Sequence, residues 1–151
     1  MHYTVKEGIS QSEIKCIFQD SEGFLWFGTQ NGLNKFDGYT FEKFFHNPAD
    51  SSTLSSNWIF GIAEDAGGFL WIATKKGLNR YDKKTGKFAR IEHKPPGSLV
   101  HDEYVYGIAT DDTCIYINTP PSLSLLHLKS GTLETYTNQS EYDGILHDFG
   151  Y

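Results

Sequence analysis

The 151 residues include only two cysteines, Cys16 and Cys114, with no Cys-x-x-Cys pair. A thiolate metal knuckle is therefore absent, and both cysteines read as buried unpaired thiols that say little about redox compartment. Basic residues are also few, 13 against 19 acidic ones for a net charge of -6, and they are scattered through turns. Phosphate backbones require a concentrated basic surface, so no nucleic-acid partner is expected for this segment. No apolar run approaches the roughly 20 residues that span a bilayer, so the segment is expected to make no membrane contact. Met1-His2-Tyr3 lacks the charged-then-apolar opening of a signal peptide. If the protein is exported, its leader has been removed ahead of Met1. Gly-x-Ser-x-Gly, His-Glu-x-x-His and phosphate-cradling glycine loops are missing, and the six histidines are far apart. No catalytic residue, metal or cofactor is therefore assigned. No window has apolar residues at helical spacing over three turns.

What the chain has instead is repetition. Asp20 to Asp37 returns 45 residues later as Asp65 to Asp82, with ten of eighteen positions identical. A fixed period of this length, rich in aromatic and β-branched residues, is the mark of a propeller blade of four short strands. The fold class is all-β, a partial β-propeller. A degraded third copy follows: Gly61-Ile-Ala63 reappears as Gly107-Ile-Ala109, and Leu70-Trp-Ile72 as Ile115-Tyr-Ile117. The Gly-Leu-Asn-Arg-Tyr-Asp stretch has decayed to Ser122 to His127. About three blades of four antiparallel strands result, whereas closed propellers carry typically four to eight. The chain thus reads as a piece of a larger ring. Its divisions are an outer strand of a preceding blade in 1–10, blades over 11–46, 56–93 and 102–137, and the start of a further blade in 142–151.

Within each repeat, inner strands are expected at Ile14 to Gln19, Trp58 to Glu64 and Tyr104 to Thr110, and second strands at Phe24 to Thr29, Phe69 to Thr74 and Cys114 to Thr119. Third strands follow at Leu33 to Asp37 and Leu78 to Asp82, and fourth strands around Phe41 to Phe45 and Phe88 to Ile91. Tyr3-Thr-Val5 and Gly144 to Phe149 read as strands of neighbouring blades. Trp26, Trp71 and Tyr116 hold one place in successive blades and are assigned to packing between sheets, where buried aromatics supply much of a core's apolar area. Asp20, Asp65 and Asp111 recur at one turn and are assigned to capping it. His46 and His93 sit alike after the outer strand, which indicates a shared loop role.

Positions that keep their identity between repeats serve the scaffold, while positions that differ can serve a site that exists once. At the mouth of the inner strand the equivalents are Glu13, Trp58 and Tyr104, followed by Lys15, Phe60 and Tyr106. The turn after the second strand reads Gln30-Asn31, Lys75-Lys76 and Pro120-Pro121. Aromatic platforms beside amide and charged groups suit a carbohydrate or another small polar ligand. The candidate ligand residues are Trp58, Tyr104, Asn57, Lys75 and Gln30. Long polar crossings, His46 to Ser56 and His93 to His101, lie on the same face.

The string Gln19 to Gly38 closely resembles the two-component regulator propeller repeat, and Glu64 to Asp82 resembles it almost as well. His2 to Ser12 is similar to the entry to the first blade of such sensors. This resemblance implies the periplasmic sensor region of a hybrid two-component histidine kinase, commonly two seven-bladed propellers ahead of a membrane span. In such a protein, oligosaccharide sensing is coupled to kinase signalling and transcription. The family's phosphoacceptor histidine and aspartate map to no residue here, so this segment is expected to be non-catalytic. Two other functions fit the same fold. One is a lyase resembling the streptogramin lyases, for which Glu13 and His101 are the nearest acid-base candidates. The other is a scaffold for protein partners. A partial ring with open blade faces is also expected to self-associate.

Overall fold

The computed structural model describes residues 5–91 and 104–136. They form three four-stranded antiparallel sheets in simple up-and-down order. Blade 1 contains β1 (Ile14–Gln19), β2 (Leu25–Thr29), β3 (Gly32–Phe36) and β4 (Phe41–Phe44). Blade 2 contains β5 (Ile59–Glu64), β6 (Leu70–Thr74), β7 (Gly77–Asp82) and β8 (Lys87–Ile91). Blade 3 contains β9 (Gly107–Thr110), β10 (Cys114–Thr119), β11 (Ser122–His127) and β12 (Leu133–Tyr136). The degraded stretch after Thr119 is thus still a strand, because alternating Leu and Ser keep a half-buried pleat without the Gly-Leu-Asn motif. Of the expected strand over 3–5, only Val5 is described, and it opens a 3-10 turn, Val5–Glu7. The expected strand at 144–149 and the crossing at 93–101 lie outside the described residues.

Two cores fill the seams between blades. Between blades 1 and 2, Trp26, Leu33, Ile59, Leu70, Ile72 and Tyr81 pack together. Between blades 2 and 3, Trp71, Leu78, Val105, Ile115 and Ile117 do the same. Trp26 is fully enclosed, stacked on Phe44 at 5.6 Å and edge-on to Tyr81 at 5.5 Å. Burial of such a side chain contributes about 1.5–3 kcal/mol, which bears out the packing role. Tyr116 is only half-buried, and its hydroxyl donates to Asp111.

The recurring aspartate ties this aromatic to the turn. Asp20 Oδ1 accepts the Phe24 N–H at 2.9 Å while Oδ2 accepts the Trp26 indole N–H at 2.8 Å. Asp65 does the same with Phe69 and Trp71, at 3.0 and 2.8 Å. Asp111 holds the N–H groups of Thr113 and Cys114 together with the Tyr116 hydroxyl. In all three blades the carboxylate holds its own hairpin, and Asp20 of blade 1 also lies 3.8 Å from the Lys83 ammonium of blade 2.

A second repeated network ties each blade's entry segment to its β-hairpin. Ser10 N–H donates to Asn34 Oδ1, and its hydroxyl meets Asn34 Nδ2 and Thr29 Oγ1. Ser55 makes the same three contacts with Asn79 and Thr74 in blade 2. Asn34 and Asn79 are both fully buried, which explains why the Gly-Leu-Asn motif keeps its amide: buried polar groups require partners.

Candidate ligand-binding site

The inner strands of blades 1 and 2 each carry a β-bulge at their second residue. Pairing runs Ile14 to Thr29 and then Cys16 to Gly28, skipping Lys15. In blade 2 it runs Ile59 to Thr74 and then Gly61 to Ala73, skipping Phe60. A bulge leaves its extra residue unpaired and re-aims the side chain. Lys15 and Phe60 are therefore presented at the mouth of the inner strands instead of in the ladder.

At that mouth the blades differ. Blade 1 places an ion pair there, Glu13 with Lys15. Blades 2 and 3 assemble four rings. Trp58 and Phe60 stack at 6.0 Å, Phe60 meets Tyr106 at 5.3 Å, and Tyr104 stacks on Tyr106 at 5.7 Å. The Lys75 ammonium lies 4.8 Å from the Trp58 ring and 5.4 Å from that of Tyr104, within cation–π range. Trp58, Tyr104 and Lys75, singled out in the sequence, thus come together, joined by Phe60 and Tyr106. Tyr106 is 52% exposed and gives the cluster its open side. The Trp58 indole N–H has no hydrogen-bond partner among the described residues.

The other two candidates stand apart from the rings. Asn57 uses its side-chain oxygen to accept the His46 N–H at 2.6 Å and its carbonyl to accept the Gly32 N–H at 2.7 Å. Its role is to dock the crossing from blade 1 onto the β2–β3 turn. Gln30 is half-buried on that same turn and joins none of these ring contacts. His46 holds its own crossing, its Nδ1 donating to the Leu54 carbonyl at 2.6 Å. His93 and His101 lie outside the described residues.

The opposite end of the inner strands is acidic. A depression of about 510 Å³ is lined by Gln19, Asp20, Glu64, Asp65, Thr110 and Asp111. Its charge is partly neutralised by Lys83, whose ammonium lies 2.7 Å from Glu64, 3.2 Å from Glu22 and 3.8 Å from Asp20. Glu64 also accepts the N–H and hydroxyl of Ser21 at 2.6 and 2.7 Å. Burial alone would raise the Glu64 carboxyl, but the bonds from Lys83 and Ser21 outweigh it and hold the group below its usual range. This cluster joins blade 1 to blade 2, and Thr110, donating to the Glu64 carbonyl at 2.8 Å, joins blade 3. It is a seam lock, and its groups are engaged with one another.

Comparison with known proteins places the chain. The two-component regulator propeller family model matches residues 8–31 and 53–76. A curated relative, Histidine kinase P4 of Formosa agariphila, is 51% identical over 53 residues, which is 35% of this chain and 4% of that protein. The extracellular domain of the putative hybrid two component system BT4673 from B. thetaiotaomicron superposes over 93% of this chain and 19% of its own, at 25% identity and a TM-score of 0.65. Virginiamycin B lyase from Staphylococcus aureus superposes over 88% of this chain and 44% of its own, at a TM-score of 0.62 and 18% identity, a likeness of fold alone. The chain spans less than half the length of each of these proteins, and 4% of the curated relative. Two stretches of this chain, 8–31 and 53–76, are thus two-component regulator propeller repeats, set in a partial β-propeller of three like-built blades.

Proposed function

We propose that this chain is part of the extracytoplasmic sensor region of a hybrid two-component histidine kinase, periplasmic and N-terminal to a membrane span in its parent. It binds an oligosaccharide or a similar polar ligand at the aromatic mouth and performs no chemistry itself. The observation that carries this reading is the cluster of Trp58, Phe60, Tyr104 and Tyr106 beside Lys75. These residues vary between otherwise repeated blades, and they join flat apolar surface to a charge, as a sugar ring beside its hydroxyls requires. Ligand would act on the parent by its unequal affinity for two arrangements of the sensor, which biases kinase activity and through it transcription. The identities of the relatives support the two-component assignment, and the aromatic mouth supports the ligand class.

The test is calorimetric titration of the chain with a panel of defined oligosaccharides, monitored in parallel by tryptophan fluorescence. Binding by at least one glycan that Trp58→Ala or Tyr106→Ala weakens tenfold or more would support the reading. Absence of binding across the panel, or binding that neither variant changes, would overturn it.

A further inference from the structure

The two cysteines occupy opposite chemical settings. Cys16 sits in the seam between blades 1 and 2, where burial pushes its thiol up to about 11. Cys114 opens β10 directly across the ladder from His127 on β11. Its Sγ lies 3.2 Å from the ring Nδ1. On the far side of the ring, Nε2 is buried without a hydrogen-bond partner among the described residues, and Glu134 Oε1 on β12 lies 3.1 Å from it, off hydrogen-bond geometry, so that the carboxylate acts on the ring through its charge. Three adjacent strands thus present a thiol, an imidazole and a carboxylate in a row.

The repeat makes this row singular. The places of Cys114 and His127 are held by Phe24 and Asp37 in blade 1 and by Phe69 and Asp82 in blade 2. In those blades the ring lies under a cation, Lys35 at 3.8 Å over Phe24 and Arg80 at 4.5 Å over Phe69. Blade 3 has Leu125 in place of the cation, so ring, cation and aspartate have all changed. Packing alone accounts for losing the ring, but it does not call for a thiol opposite an imidazole that is itself backed by a carboxylate. A cysteine next to a histidine is the usual way a thiol is made nucleophilic.

We propose that Cys114 is a peroxide-sensitive thiol, activated by His127 and Glu134, and a site of reversible oxidation separate from the aromatic mouth. His127 Nδ1 takes the thiol proton, and Glu134 faces the resulting imidazolium. The sulfur attacks one peroxide oxygen, an S–O bond forms as the O–O bond breaks, and the departing hydroxide leaves as water with the proton returned from His127. The sulfur loses two electrons to the peroxide and becomes a sulfenic acid. Two equivalents of a small thiol restore it, releasing water and their disulfide. The sulfur also meets the Thr113 hydroxyl at 3.6 Å, and the Tyr116 phenol lies within electrostatic reach of it. The Asp111 carboxylate, held by the Cys114 N–H at 2.7 Å and by Tyr116, opposes a thiolate on the same turn, so activation depends on His127. Cys114 itself is 5% exposed, and the His127 and Glu134 side chains beside it are 34% and 52% exposed.

The experiment exposes the folded chain to hydrogen peroxide, quenches it with catalase, unfolds it in dimedone and maps adducts by mass spectrometry, with Cys16 as the internal control. Cys114 is expected to be trapped at least tenfold faster than Cys16. His127→Asn should slow it about tenfold and Glu134→Gln by a smaller factor, with circular dichroism confirming the fold. Should His127→Asn fail to fold, Glu134→Gln decides, since that side chain is half in solvent. Equal rates at the two cysteines, or a Cys114 rate indifferent to the folded variants, would overturn the proposal.

Discussion

A Cβ placed on Gly28 would lie 2.5 Å from the Cys16 sulfur, its partner across β1 and β2, and 2.7 Å from Ile59 Cγ2 of blade 2. In blade 2 the same pair is Gly61 and Ala73, so the larger residue has moved to the other strand. Each blade has room for one side chain at this point of the seam.

Gly28→Ala should therefore cost about 1–3 kcal/mol by overpacking. Adding Cys16→Gly, which recreates the blade 2 pair, should recover part of that loss, and further adding Ile59→Val, after Val105 of blade 3, should recover more. Urea midpoints of the series measure it, and simple additivity of the substitutions would contradict the account.

Asp65→Ala should destabilise by about 3 kcal/mol, because it orphans the Trp71 indole N–H and the Phe69 N–H within a closed seam. Trp71→Phe, which keeps the ring but drops the donor, should cost less. Thermal unfolding of both variants would check the order.

Acid should weaken the fold through the Asp111 carboxylate. The Thr113 N–H, outweighing a smaller penalty from burial, holds Asp111 down to about 2 against an ordinary 3.8. A folded value below the unfolded one means a contribution present above about pH 4 and lost as pH falls toward 2. Stability measured at pH 5 and pH 3 should drop, and Asp111→Asn should shrink that drop.

Arg90 straps the crossing between blades 1 and 2. Its guanidinium donates to the carbonyls of Asp50, Thr53 and Leu54 at 2.9, 3.1 and 3.2 Å. Arg90→Ala should leave the sheets in place and speed limited proteolysis within 47–54 several-fold, whereas an unchanged cleavage rate would show the strap to be idle.

Ile17 is 63% exposed on the blade 1 face turned away from blade 2, and Val5 is 54% exposed. The chain should self-associate in sizing with light scattering, and Ile17→Lys should shift it toward monomer. A wild-type monomer at all concentrations would end this expectation.

Much of the fold was legible because a repeat reports the same constraint twice. The places of Trp26 and Trp71, the turn aspartates and the strand order all follow from what recurs. Less legible were contacts between residues far apart in sequence. The serine that locks Asn34 and Asn79 stands 24 residues before each of them, and its own recurrence at Ser10 and Ser55 was the available signal. For the site, variation between repeats pointed to Trp58, Tyr104 and Lys75, while Asn57 belongs to the crossing. The bulges that present Lys15 and Phe60 leave no mark in composition, since any residue can be the unpaired one.

The 45-residue period by itself determined that the chain folds as like-shaped wedges, because short alternating strands between Asp and Gly turns have few other ways to bury aromatics. The tertiary structure decided which unlike residues meet: four rings from two blades at one mouth, and a cysteine, a histidine and a glutamate on three adjoining strands. Those meetings depend on blade rotation and strand register, which set distances in space that no spacing along the chain encodes.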